Sequence, residues 1–128
     1  MVTTDISQLT TECNTWKTNL RNFREQLTQS KHLLEKVASR QISRNALQDI
    51  EHYDNQFHIQ LINIHDLKQA IKENERTAGW ERNSEKGITD AVWTKHEDLY
   101  QQYQQLEHTL QDLKTAFEQF LDQTKREL

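Results

Sequence analysis

Three apolar stripes at helical spacing run along a chain that contains no proline. Proline removes a backbone N–H and collides with the preceding turn, so a chain without it has lost its strongest helix breaker. Frequent Gln, Glu, Leu, Lys and Arg add good helix formers. The first stripe is Ile6, Leu9, Cys13, Trp16, Leu20, Phe23, Leu27, Ser30, Leu34 and Val37. Its steps alternate between three and four, with Ser30 the polar interruption, as in a heptad seam. Val92, His96, Leu99, Tyr103, Leu106, Leu110, Leu113, Phe117 and Phe120 repeat that alternation. The middle stripe, Leu47, Ile50, Tyr53, Phe57, Leu61, Ile64, Leu67 and Ile71, follows the looser 3.6-residue period of a globular helix.

Two segments lack a stripe. In "SRQISRNALQ" the spacing from Asn45 to Gln48 suggests a capping box, with Ser43 as the competing cap. In "NERTAGWERNSEKG" Gly79 is expected to end the second helix in a left-handed conformation and Ser84 to start the third. Helices are therefore expected over 4–39, 45–77 and 85–126. Short connections make neighbours antiparallel. Folding at these breaks sets Trp16 level with Leu67 and His96, Leu27 with Phe57 and Leu106, and Val37 with Leu47 and Phe117. Apolar residues meet throughout, which predicts one domain over 1–128: an all-α, elongated, up-down-up three-helix bundle with coiled-coil-like packing.

Hydrophobic residues make up 34% of the chain, enough for a core only if they are ordered in such stripes. Cys13 is the single cysteine, so no disulfide can close within the chain. The opening MVTTDISQLTTEC has no basic region followed by an apolar run, and no stretch approaches the ~20 apolar residues of a membrane span. A cytoplasmic protein without membrane contact is the expectation. Net charge is −4, unevenly spread. Residues 1–45 hold seven Lys/Arg against four Asp/Glu, residues 46–78 three against six, and residues 79–128 six against ten. A basic helix beside acidic ones reads as charge pairing inside the bundle. The acidic whole would repel phosphate backbones, so no nucleic-acid partner is expected.

The stretch "EHYDNQFHIQLINIH" gathers His52, His58 and His65. His58 and His65 are seven residues apart, hence ~10 Å along a helix, too far to share one ion comfortably. The chain has no His-x-x-x-His or Glu-x-x-His spacing, which removes the di-iron carboxylate pattern. These histidines read as a polar helix flank, and no metal or cofactor is expected. His32, His52 and His108 share a level of the rod but should diverge. His96 falls in the seam beside Trp16, where a neutral, hydrogen-bonded histidine is the ordinary occupant. Cys13 reads as a small core residue with no base expected alongside. No catalytic residue is predicted, and an enzyme is not expected.

Some apolar residues fall outside the stripes: Ile59 and Ile62 on the back of helix 2, Trp93 and Tyr100 on helix 3, and Trp80 in the second break. Together they suggest an interaction patch beside a groove between helices 2 and 3. Lys17, Arg24 and Lys31 share one heptad position. They are expected either to pair with helix 2, with Asp66 level with Lys17 and Glu51 and Asp54 near Lys31, or to receive an anionic partner. The function expected is protein–protein interaction or scaffolding, through a protein partner or self-association as a homodimer. The alternative is a metal- or pH-responsive bundle using the histidines of helices 2 and 3.

A long three-helix pattern with Trp16 early in helix 1 and "HYDNQFHIQLINIH" in helix 2 resembles a spectrin repeat. It departs from that family where Leu99 stands at the place of the helix-3 tryptophan and in its longer first connection. Residues 51–72, "EHYDNQFHIQLINIHDLKQAIK", are similar to a segment of small uncharacterised helical proteins of Bacteroidetes-type bacteria. That resemblance implies a bacterial cytosolic protein and no particular chemistry.

Overall fold

In a computed structural model of the chain, three helices run Thr3–Ala38 (α1), Arg44–Glu81 (α2) and Asp90–Glu127 (α3) and form an all-α three-helix bundle. The structure describes residues 3–40, 43–82 and 87–127. At 36 to 38 residues each, the helices are about 55 Å long. One continuous core runs along the axis, from Leu9, Cys13 and Trp16 to Leu34 on α1, from Ile50 to Ala78 on α2, and from Val92 to Phe120 on α3. No helix among the described residues is long and apolar enough to cross a membrane.

The helix ends follow local hydrogen-bonding chemistry. Ser43 caps α2: its hydroxyl accepts the Ala46 N–H at 3.2 Å. Asn45 lies inside the helix, so the capping box centred on it does not form. At the far end α2 continues through Gly79, and the Arg82 N–H still bonds the Ala78 carbonyl at 2.9 Å. The expected left-handed stop at Gly79 is absent. The left-handed glycine is Gly87, at φ 67°. Ser84 and the expected start of α3 at residue 85 lie outside the described residues. Thr89 supplies the cap of α3, its hydroxyl accepting the Val92 N–H at 3.3 Å. The Glu81 carboxylate ties the two ends together by accepting the Thr89 N–H at 2.8 Å and its hydroxyl at 2.9 Å.

Because α2 runs on to Glu81 and α3 begins at Asp90, the second turn is centred about one helical turn later than the stripes alone suggest. That displacement slides α3 along its neighbours. The Phe57 ring meets Phe117 edge-on at 5.0 Å. Leu110, rather than Leu106, shares a cavity wall with Leu27 and Phe57. The Tyr53 hydroxyl donates to the Ala116 carbonyl at 3.1 Å. The buried Asn74 amide donates to the Val92 carbonyl at 3.2 Å, locking the start of α3 against α2. Leu47, expected in the core with Val37 and Phe117, is 43% exposed, and its neighbour Ala46 is buried in its place.

A Cβ added at Gly79 would meet no atom within 4 Å, and the backbone there is helical. Glycine inside a helix carries an entropic penalty relative to alanine, so Gly79→Ala should raise stability by about 0.5–1 kcal/mol in denaturant unfolding. A destabilised variant would instead mark a left-handed stop at this position.

Candidate functional site

α2 approaches both neighbours closely along its length, whereas the α1 and α3 backbones approach each other at few points. Large rings fill the interval at one end. The Trp16 indole stacks on His96 at 4.6 Å, on Tyr100 at 5.5 Å and on Tyr103 at 5.9 Å. Trp93 also stacks on His96, at 5.3 Å. The Tyr103 hydroxyl accepts from the Asn19 amide at 2.8 Å and donates to the Glu107 carboxylate at 3.2 Å.

The same end brings together three groups that sequence spacing did not connect. The Cys13 sulfur lies 3.7 Å from His96 Nδ1, and His96 Nε2 lies 2.9 Å from Glu12 Oε2. A base therefore does stand beside the cysteine, contrary to the expectation from sequence. The one-turn shift of α3 puts it there. The order thiol, imidazole, carboxylate resembles an activated nucleophile, yet the chemistry runs the other way. Cys13 is 0% and His96 2% exposed. Burial, reinforced by the Glu75 charge, pushes the Cys13 thiol up to about 12. The sulfur is thus a protonated thiol rather than a thiolate. One arrangement satisfies all three groups: the thiol donates to Nδ1, and Nε2–H donates to Glu12. Cys13 and Glu12 occupy opposite edges of the imidazole, so the three cannot converge on one ion. Among the described residues no group of three His, Cys, Asp or Glu side chains could hold a metal.

Further along the α1–α3 face the rings give way to an open cleft of about 340 Å³. Phe23, Leu27 and Leu33 line it from α1, Leu110, Phe117 and Leu121 from α3, and Phe57 from α2. Its lip carries Gln26, Gln29, Gln111, Lys114 and Glu118. Leu33 is an exposed large apolar residue at this lip. Ser30, the polar interruption in the first stripe, also lines the cleft, which explains why the seam opens here.

The α1–α2 face is chemically different. A concavity of about 550 Å³ is lined by Arg21, Arg24 and Thr28 of α1 and by His58, His65, Lys68 and Lys72 of α2. Leu20, Leu61 and Ile64 lie among them, with Ile62 exposed at 47%. Burial, then the charges of Lys72, Arg21, Arg24 and Lys17, lower the Lys68 pKa.

The residues singled out from sequence are divided among these places. Trp93 and Tyr100 belong to the ring stack on the α1–α3 face, and Ile62 lines the α1–α2 concavity, so these three do not share a groove between α2 and α3. Ile59 is exposed on α2 three residues from Ile62. Trp80 is 69% exposed in the last turn of α2 rather than in a loop. Of the basic row, Lys17 pairs with Glu75 at 2.7 Å, not with Asp66. Arg24 opens onto the concavity, and Lys31 makes no ion pair with Glu51 or Asp54. The two outer histidines lie beside acids of their own helices: His32 is 3.7 Å from Glu35 and His108 3.4 Å from Asp112. The His52 ring meets Tyr53 edge-on at 5.3 Å. Comparison of the chain with family models, with curated proteins and with solved structures finds no match.

The Glu12 carboxylate gives the end cluster a pH signature. Burial works to raise its pKa, but hydrogen bonds from His96 and Gln8 outweigh it and hold the group below its ordinary 4.5. A depressed folded pKa stabilises the fold above the unfolded value and loses that contribution as pH falls through the folded one. Glu12→Gln should therefore be less stable than wild type near neutral pH, with the difference shrinking below pH 4.5. Urea unfolding of both proteins across that range measures it; a difference that grows with acidity would refute the link.

Proposed function

We propose that this chain is a non-enzymatic interaction module that pairs with a second copy through the α1–α3 face. The observation that carries the reading is the apolar cleft at Leu33, open between two helices whose seams are otherwise filled. Helix-in-groove docking suits such a cleft, because an amphipathic helix lays its apolar face into the gap that a fourth helix of a bundle would occupy. The lip supports self-pairing. Lys114 and Glu118 stand one turn apart beside uncharged glutamines, so a two-fold axis can set each charge against its opposite. Trp93 and Tyr100 extend the same face with aromatic surface, the type most enriched at interface hot spots. A non-enzymatic role is supported by the protonated, fully buried state of the one cysteine.

Sedimentation velocity tests the reading. The wild type should sediment as a dimer at about 100 μM, a concentration that populates even weak pairing. Leu33→Glu should dissociate it while preserving helicity, since Leu33 is exposed. A wild type that stays monomeric at that concentration overturns self-pairing. A photo-crosslinker at position 33 that then captures no protein from cell extract overturns the interaction reading for this face.

A further inference from the structure

The α1–α2 groove holds a concentration of positive charge that the bundle does not use. Arg21 and Arg24 are one turn apart on α1, and Lys68 and Lys72 one turn apart on α2, so each pair presents a common face. All four line one concavity with Thr28, His58 and His65. Among the described residues none of the four has a carboxylate at salt-bridge distance. Of the nearby acids, Glu75 is taken by Lys17 and Asp66 lines the α2–α3 side; Glu25 shares an adjoining concavity with Arg21, Arg24 and Lys68 but is at ion-pair distance from none of them. The crowding registers on the lysine: Lys68 is disfavoured as a cation first by burial and then by its basic neighbours. On a chain of net charge −4, an unneutralised cluster of this kind is a local reversal of sign. Charge repulsion stored in a folded groove is relieved by an anion, and a concavity between low-dielectric walls focuses that field.

We propose that the α1–α2 groove binds a compact polyanion of the phosphate-ester class, held by Arg21, Arg24, Lys68 and Lys72 over the apolar floor of Leu20, Leu61 and Ile64. Guanidinium forks match pairs of phosphoryl oxygens, and ammonium groups add point charge. The imidazoles of His58 and His65 supply further donors on the α2 wall, while the Thr28 hydroxyl opposite donates to the Arg24 carbonyl at 2.9 Å. A peptide carboxylate brings one charge per side chain and leaves several of the cations unmatched, whereas clustered phosphoryl groups bring several charges into a small volume. A long nucleic acid would need a track of cations, and the acidic thirds of this chain provide none. A second copy is also disfavoured here, because a two-fold contact centred on Ile62 would place these cations against their own equivalents. The site is independent of the α1–α3 face.

The test is calorimetric titration of the whole chain with sodium tripolyphosphate at about 50 mM salt, where screening is weak. One-to-one binding is expected. Arg24→Gln and Lys68→Gln should each weaken it about tenfold or more, as loss of a charge-assisted hydrogen bond implies. Lys95→Gln, which removes an exposed cation on α3 paired with Asp98, should leave it unchanged. Circular dichroism should give Lys68→Gln a melting temperature no lower than wild type, since the substitution removes crowding. No binding at about 1 mM probe, or equal weakening by Lys95→Gln, overturns the proposal. Sedimentation with phosphatidylcholine vesicles, with and without phosphatidylinositol bisphosphate, separates the sources. Capture only by the phosphorylated vesicles identifies a lipid headgroup, and binding of the free probe without capture assigns the groove to a soluble clustered-phosphate anion.

Discussion

Trp16 sets the distance between α1 and α3. Its indole lies across the gap against His96, Tyr100 and Tyr103, and a ring that large cannot be accommodated between helices in close backbone contact. Apart from Tyr53 and Phe57, α2 turns aliphatic, alanine and amide side chains into the bundle, and it approaches each neighbour closely. The bundle is therefore asymmetric: two tight pairings and one wide one. Where rings fill the wide side it is sealed, and where Ser30 interrupts the seam it opens into the apolar cleft. Aromatic stacking at one end thus dictates the empty volume about two to five turns further along α1.

Polar groups inside the bundle set its register where hydrophobic contact alone would tolerate sliding. Leucine against leucine is nearly indifferent to a shift of one turn, because a heptad stripe repeats. A buried amide is not indifferent, since an unpartnered polar group in the core costs its full desolvation. Asn74 on the Val92 carbonyl, Tyr53 on the Ala116 carbonyl and Asn19 on the Tyr103 hydroxyl each have one alignment of α3 that satisfies them. Cys13, His96 and Glu12 add a fourth such constraint. Among the described residues no buried side-chain nitrogen or oxygen lacks a partner, so the single alignment is also a complete one.

The degeneracy of the stripe also explains what the sequence made legible. Helix number, order and inward faces follow from the spacing of Leu9 to Val37, of Ile50 to Ile71 and of Val92 to Phe120, because helical periodicity is local. The α1–α2 alignment follows only in part: Ser43 marks the turn, but Lys17 meets Glu75 rather than Asp66. The α3 alignment does not, because it depends on where the second turn is centred. Gly79 points to an early stop, but a glycine inside a helix costs only about 1 kcal/mol, and packing of Ala78 and the Glu81–Thr89 bonds outweigh it. One turn of error was enough to hide the thiol–imidazole–carboxylate line. The common patch of Trp93, Tyr100 and Ile62 failed for a different reason: a stripe does not say on which side of the α1–α2 pair the third helix packs, and that side decides which groove its flank residues face. The basic groove had a visible signal in Arg24, but a row along one helix face could not reveal Lys68 and Lys72 across the groove. Their i,i+4 spacing on the flank that carries His58 and His65 was the available clue.

A core one layer deep has a functional consequence of its own. Each helix of a three-helix rod has two neighbours and an outward face, so every groove between helices is a surface feature and none can be enclosed. Water reaches all three, which works against chemistry that needs a desolvated nucleophile. The one cysteine escapes water only by lying in the seam, where burial keeps it protonated. Long open grooves are well suited to recognition instead, because they present extended surface at little cost to the core. The sequence distributes that surface unequally: apolar and nearly neutral between α1 and α3, cationic between α1 and α2. α1 contributes to both, through Phe23, Leu27 and Leu33 on one side and Arg21, Arg24 and Thr28 on the other. Of the basic residues of the first third, Arg21 and Arg24 line the α1–α2 concavity. Charge on the other side would have to be desolvated by any helix entering the apolar cleft, and α1 places none among that cleft's lining residues.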